Sequence, residues 1–193
     1  MPVKNFDEIL NRVKGKQKKL AIADPSGMQV IQGIKEAYNR KIIEPVLVGD
    51  KAEIEPLLEQ EELTDCQIIH CKEPYEIGYK TVELVREGRA DFIMKGKLST
   101  PILLKAVLDK EYGIRASKLL SHVCVVESPF YSRLLIFTDG GMVIKPDIKQ
   151  KKALIKNAVY VAKKVGIENP RVAVLAALEL VNPDMPETID GAL

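Results

Sequence analysis

Tryptophan is missing from this sequence, and aromatic residues of all kinds make up only 5% of it. An interior with so few rings must be filled by aliphatic side chains, which suits α/β layering better than a β-sandwich. Excess charge of either sign is missing too. A formal net charge of +2 points to neither a nucleic-acid nor a membrane partner, while leaving room for a local basic cluster that holds a small anion. Cys66, Cys71 and Cys124 are an odd number without a CxxC pair, so neither a disulfide framework nor a zinc knuckle is expected. They read as small core residues of a reduced, cytoplasmic protein. No apolar run approaches the roughly 20 residues that cross a bilayer, and MPVKNFDEILNRVKGKQ at the N-terminus has no apolar signal region. The motifs GxGxxG, GxxxxGKS/T, GxSxG and HExxH do not occur, and no carboxylate cluster stands at ligand spacing, so no metal is expected.

What is present is a regular aliphatic alternation. Apolar residues are 46% of the 193, enough for one good core or two small ones. Phe6, Ile9, Leu10 and Val13 recur at the spacing of one helical face. LAIAD (20–24) then reads as a buried strand, MQVIQGIKEAYNR as a helix, EPVLVGD (44–50) as a strand and 51–60 as a helix. CQIIHC (66–71) is a strand with His70 in the core, Pro74 to Arg86 a helix, DFIMKG (91–96) a strand, and Ser99 to Leu108 a helix capped by Ser99. Short strands that are apolar throughout are buried on both faces, which predicts a doubly wound α/β fold with mostly parallel sheets.

The pattern changes after residue 115. HVCVVES (122–128) and RLLIFTD (133–139) flank four turn-prone residues, which predicts a hairpin or antiparallel edge pair. Pro146 and Asp147 open a helix that Gly166 closes, RVAVLAA (171–177) reads as another buried strand, and a last helix begins near Pro186. The expected division is a first α/β lobe over 1–118 and the start of a second over 119–193.

In open α/β sheets ligands collect beyond the C-terminal strand ends, where loops meet helix N-termini. Lys95-Gly96-Lys97 leads into Ser99-Thr100-Pro101. Gly96 permits a tight turn, the hydroxyls and first N–H groups can hold phosphate or carboxylate, and the lysines add charge. A capped helix with two solvated lysines is the alternative. Ser121-His122 precedes a strand, with Arg115 and Arg133 nearby in sequence as either phosphate forks or surface groups. Thr138-Asp139 ends a strand before Gly140-Gly141, where an aspartate can orient a base, bind an ammonium or cap a turn. The exit Asp24-Pro25-Ser26-Gly27 is equally ambiguous, with an N-cap as its plain reading.

Four strings in order, MKGKLST (94–100), LLSHVCVVESP (119–129), FTDGGMVIKPD (137–147) and NPRVAVLAALELVNPDMPET (169–188), resemble the phosphate butyryl- and acetyltransferases. The likeness runs from the first strand to the last residue, and the family's last third has no counterpart. That resemblance implies a two-lobed fold similar to the isocitrate/isopropylmalate dehydrogenase type, with the active cleft between the lobes. It implies reversible transfer of a butyryl or acetyl group between coenzyme A and inorganic phosphate, in a homo-oligomer. Coenzyme A is then a substrate, acyl phosphate the other acyl carrier, and no cofactor is permanently bound.

Carried over residue by residue, the resemblance puts Lys95, Gly96 and Thr100 at the cleft with Ser121, His122, Thr138 and Asp139 facing them. Gly96 and Thr100 then bind phosphate or acyl phosphate, and Lys95 neutralises charge. Ser121 and His122 donate hydrogen bonds to the transferring group, and Asp139 positions a partner. Thr138 and Arg133 complete the substrate-binding set. Gly140-Gly141-Met142 stands where relatives commonly have small apolar residues and an Asn, which is expected to loosen that turn. The Ser, Arg and Asp groups usually assigned to catalysis in the family lie past MPET and match no position here. Two other readings accompany this one: a truncated, non-catalytic fragment that binds phosphate or coenzyme A, and a related dehydrogenase-like enzyme of the same fold, whose acidic metal ligands are not evident. Apolar edges left by a half-built sheet predict association.

Overall fold

The computed structural model describes residues 3–193. After helix α1 (Phe6–Val13) the chain resolves into two compact units, Asn11–Ala116 and residues 3–10 with Ser117–Leu193. In the first, β1 (Lys18–Ala23), α2 (Met28–Asn39), β2 (Ile43–Gly49), α3 (Lys51–Gln60), β3 (Gln67–His70), α4 (Pro74–Arg86), β4 (Phe92–Lys95) and α5 (Thr100–Val107) alternate. The four strands form one sheet in the order β3-β2-β1-β4, and every pairing is parallel.

Successive strand residues point to opposite faces, and β1 shows how that builds two core layers. Leu20 and Ile22 pack with Ile31 and Ile34 of α2 and Ile54 and Leu58 of α3. Ala21 and Ala23, on the other face, pack with Ile77 and Leu84 of α4 and Leu103 of α5. The sheet is therefore helix-covered on both sides, which is why the buried runs 20–23 and 46–48 of its central strands are apolar on both faces. From β1 the chain steps outward through β2 to β3, and α4 then returns it to the free side of β1 as β4. The direction of winding reverses between β1 and β4, and their C-terminal ends form the topological switch point of the sheet.

His70 departs from the core placement that its neighbours predict. It is the last residue of edge strand β3, its side chain is 50% exposed, and its Nδ1 accepts a hydrogen bond from the Lys51 N–H at 3.1 Å. Among the described residues only β2 flanks this strand, so its final side chain is left at the rim.

In the second unit, β5 (Cys124–Ser128) and β6 (Tyr131–Phe137) form an antiparallel hairpin with a register irregularity between Val126 and Ser128. The long helix α6 (Ile148–Lys164) starts at a capping box, in which Asp147 accepts from the Gln150 N–H while the Gln150 side chain accepts from the Asp147 N–H. It ends at Gly166, whose φ of +92° lets the Ile167 N–H reach back to the Ala162 carbonyl. A final helix α7 (Pro186–Ala192) is tied to α6 by the Lys151–Asp190 ion pair at 2.8 Å.

One expected strand does not form. Residues 171–177 pair with no strand among the described residues, and the segment is open to solvent, with Val172 53% and Leu175 80% exposed. The β propensity of RVAVLAA is real, but a strand apolar on both sides needs a ladder and two covering layers. The two-stranded hairpin, the only sheet among the described residues of this unit, supplies neither to it. No helix among the described residues is long and apolar enough to cross a membrane.

Candidate functional site

The switch point brings together two loops that the sequence presents far apart. β1 gives way at Asp24, a non-glycine residue at φ +55°, whose backbone is clamped on both sides. Its N–H donates to the Val48 carbonyl at 2.8 Å and its carbonyl accepts from the Lys97 N–H at 2.7 Å. The Asp24 carboxylate accepts from the Ser26 hydroxyl at 2.6 Å, so it braces its own turn and leaves α2 uncapped. The N-cap of α2 is Gly27, and a Cβ there would lie 3.7 Å from Cε of Lys97. The Lys97 stem thus runs alongside the start of α2.

From the neighbouring strand, Gly96 donates to the Ala23 carbonyl at 2.8 Å, carrying the β1–β4 ladder one residue past β4. A Cβ on Gly96 would strike the carbonyl oxygen of Asp24. Glycine is required here by the close approach of two backbones. Lys95 folds its ammonium onto the Gly96 carbonyl at 3.0 Å. Ser99 occupies the N-cap of α5, yet its hydroxyl makes no cap hydrogen bond, contrary to its sequence reading. The hydroxyls of Ser99 and Thr100 and the first N–H groups of α5 therefore remain for a ligand. Two adjacent helix starts flanked by Lys95 and Lys97 form a region suited to a phosphate or carboxylate.

In the second unit, the turn after β6 grips the residue before β5. The backbone N–H of His122 donates to Asp139 Oδ2 at 2.9 Å, and the Thr138 hydroxyl donates to the His122 carbonyl at 2.9 Å. Oδ1 of the same carboxylate accepts from Gly141 at 2.8 Å and Met142 at 2.6 Å. Burial pushes the Asp139 carboxyl upward, but N–H groups of Gly141, Met142, His122 and Val143 outweigh it and hold the group below its usual 3.8. The Gly140-Gly141-Met142 departure does not loosen this turn: those N–H groups fasten it. Gly140 also makes room, since a Cβ there would stand 2.9 Å from His122 Nδ1.

Ser121 is met from a third direction, by the Asn157 amide of α6, whose Nδ2 donates to Ser121 Oγ at 2.8 Å. Ser121, His122, Thr138 and Asp139 are thus brought together. Lys95, Gly96 and Thr100 form their own corner in the other unit. Within its own unit Arg133 stands apart from Thr138. It is exposed in β6, five residues before Thr138, or about 16 Å along an extended strand. Arg133→Ala is therefore expected to change turnover by no more than about threefold, since an exposed charge at that range is largely screened; steady-state kinetics checks it.

Cys66 and Cys71 are not placed as nucleophiles. Burial, with the Asp65 charge adding to it, pushes the Cys66 thiol up to about 11, and burial likewise raises Cys71. At pH 8 the Cys66 thiolate is then about 100-fold scarcer than for an ordinary thiol. Iodoacetamide at that pH is expected to spare Cys66 in the folded chain and label it in urea; rapid native labelling would contradict this.

Asn157 is what sequence reasoning fails to single out, and the exit Asp24-Pro25-Ser26-Gly27 is one that it leaves ambiguous. No motif marks an asparagine in mid-helix, and the loop's importance rests on strand order, which residue periodicity does not reveal.

Residues 73–191 match the family model described as "Phosphate acetyl/butaryl transferase". The chain is 41% identical over 190 residues to the phosphate acetyltransferase of Thermotoga maritima, covering 97% of this chain and 64% of that relative. It is 42% identical over 193 residues to the phosphate butyryltransferase of Clostridium beijerinckii, covering 98% of this chain and again 64% of the relative. Among solved structures it resembles a branched-chain phosphotransacylase from Enterococcus faecalis, with a TM-score of 0.77 and 28% identity over 90% of this chain and 61% of that one. The chain therefore spans slightly less than two thirds of the length of these relatives.

Proposed function

The chain belongs to the phosphate acetyl/butyryl transferase family, and on that premise we propose that it serves reversible transfer of a short acyl group between coenzyme A and inorganic phosphate. In the forward sense the coenzyme A thiol loses its proton, its sulfur bonds to the acyl carbonyl carbon, and the carbon–oxygen bond to phosphate breaks. Phosphate leaves and the proton passes to solvent or phosphate. The protein must stabilise the oxyanion and the departing phosphate more strongly than the resting substrates.

The observation that carries the reading is the switch-point corner, where Gly96, Thr100, Lys95 and Lys97 surround uncapped helix starts suited to an anionic group. Gly96 and Thr100 bind phosphate, Lys95 offsets its charge, and Thr138 lends a further polar contact. Ser121 and His122 donate hydrogen bonds to the transferring group, and Asp139 holds them in place. Arg133 contributes only a distant charge. The arrangement we favour is the two-lobed, isocitrate/isopropylmalate dehydrogenase-like one, with lobes over 1–118 and 119–193. The protein works in the cytoplasm as a homo-oligomer, with coenzyme A as substrate, no permanently bound cofactor, and no membrane or nucleic-acid partner.

A second reading has one observation in its favour. The chain spans 64% of the relatives' length, and a unit of that size could bind phosphate or coenzyme A without turnover. Butyryl-CoA and acetyl-CoA are each assayed with phosphate for release of free thiol, beside calorimetric titration with coenzyme A. Phosphate-dependent thiol release supports the transferase, binding alone supports the second reading, and neither would overturn both. The acetyl and butyryl relatives stand at nearly equal identity, so both acyl groups belong in the assay.

A further inference from the structure

Asn157 lies in the middle of α6 and is half-buried. It is one residue that neither the motifs nor the proposed mechanism uses. Asparagine is a poor choice for a helix interior, because its amide competes for backbone hydrogen bonds. Here the amide reaches across 36 residues of sequence and donates from Nδ2 to Ser121 Oγ at 2.8 Å. Ser121 adjoins His122, whose N–H and carbonyl are both held by the Thr138-Asp139 turn. The backbone beside Ser121 is thus fixed by one element and its side chain by another.

The direction of that hydrogen bond matters. A serine hydroxyl has one proton and two lone pairs. While it accepts from the asparagine, its proton must point elsewhere. We propose that Asn157 is a positioning residue that holds Ser121 with its O–H free to donate to an anionic oxygen of the transferring group. Asn157 itself touches no substrate. This rests on the role given to Ser121 in the proposed function. With the amide reversed, or replaced by an acceptor, Ser121 would donate to residue 157 and be lost to the substrate.

The test is a set of variants compared by kcat and KM across pH, with the affinity for inorganic phosphate as the readout in place of kcat if the chain binds without turnover. Asn157→Asp places an acceptor at the same position and captures the Ser121 proton. It is expected to lower kcat by about 100-fold, the scale of losing one transition-state donor, with KM for coenzyme A unchanged. Protonating the new carboxyl restores a donor, so N157D should recover activity as pH falls, unlike the wild type. Asn157→Ala frees the hydroxyl to rotate and should cost about tenfold, between the two extremes. Ser121→Ala with N157D should be no worse than Ser121→Ala alone, because the two act as one unit.

A merely structural asparagine gives a different result. N157D and N157A would then lose activity in proportion to stability, show no acid recovery, and add their losses to that of Ser121→Ala. That outcome overturns the proposal while leaving the proposed function intact. A wild-type chain that neither turns over nor binds phosphate overturns both. The side-chain amide resonance of Asn157 gives a check independent of activity: it should move in Ser121→Ala, and its failure to move removes the hydrogen bond on which the proposal stands.

Discussion

Gly96→Ala is expected to destabilise the unit Asn11–Ala116 by about 3 kcal/mol and to abolish its affinity for phosphate, combining overpacking with the loss of two hydrogen bonds. The new Cβ would press on the Asp24 carbonyl, with the Asp24 carbonyl carbon at 2.8 Å and the Ala23 oxygen at 2.9 Å. These are backbone atoms at the end of a paired strand and cannot swing aside like the tip of a side chain. Relief requires β1 and β4 to part, which breaks the Gly96-to-Ala23 bond at 2.8 Å and the Lys97-to-Asp24 bond at 2.7 Å. Those bonds set where Lys97 and the start of α5 stand, so the anion corner moves with them. Gly33→Ala is the matched control. It sits on the exposed side of α2 with nothing within 4 Å of a new Cβ. It should raise stability by about 1 kcal/mol through helix propensity alone. Urea unfolding reads both signs. A Gly96→Ala unit within about 0.5 kcal/mol of wild type, the ordinary range for a surface change, would contradict the close approach.

Asp139→Asn is the second large effect. The carboxylate accepts N–H groups from His122, Gly141 and Met142. An amide has one acceptor oxygen where the carboxylate has two, so it keeps one side of the turn or the other. Charge-assisted bonds of this kind contribute more than neutral ones, and losing part of the set in a half-buried place should cost about 2 kcal/mol locally. Amide hydrogen exchange at His122 and Met142 should then quicken by about 30-fold. Turnover should fall by about 100-fold, since His122 and Ser121 no longer hold their places within an ångström.

The acid dependence of this turn follows from the same bonds. The folded Asp139 carboxyl titrates below its usual 3.8. Its contribution is therefore complete above that value and is lost as pH falls through the depressed folded value. In wild type the exchange protection of His122 should drop in that acid window; in Asp139→Asn it should be low already and indifferent to pH there. Equal acid sensitivity in the two proteins would contradict the assignment.

The first unit was largely legible from its residues because its strands obey one rule. Residues 20–23 and 46–48 are apolar at every position, and a helix-covered parallel sheet makes that pattern stable. The same rule misled at RVAVLAA, where the composition is right and no strand among the described residues pairs with it. His70 misled for a related reason: a residue between Ile69 and Cys71 looks interior, but β3 is an edge strand and His70 is its last residue. The polar sites divide similarly. Gly96, His122 and Asp139 stand at strand ends, which alternation locates. Whether a strand end matters depends on strand order, and the reversal between β1 and β4 that joins Ser26 and Gly27 to Lys97 leaves no periodic trace. Ser99 looked like a cap because serine so often is one, yet at this corner the hydroxyl is left unused. Asn157 was beyond reach for a different reason, since its partner is 36 residues away and the contact lies between elements whose packing no local pattern encodes.

The proposed function stands on an anion corner built by Lys95, Gly96 and Thr100 at the switch point of the unit Asn11–Ala116. Titrating isotope-labelled protein with inorganic phosphate, while following backbone amide resonances, tests it directly. The amides of Gly96, Lys97 and Thr100 are expected to shift together along one saturation curve, while Gly33, on the exposed side of α2, stays still. No shift at these three residues, or separate midpoints among them, would contradict it.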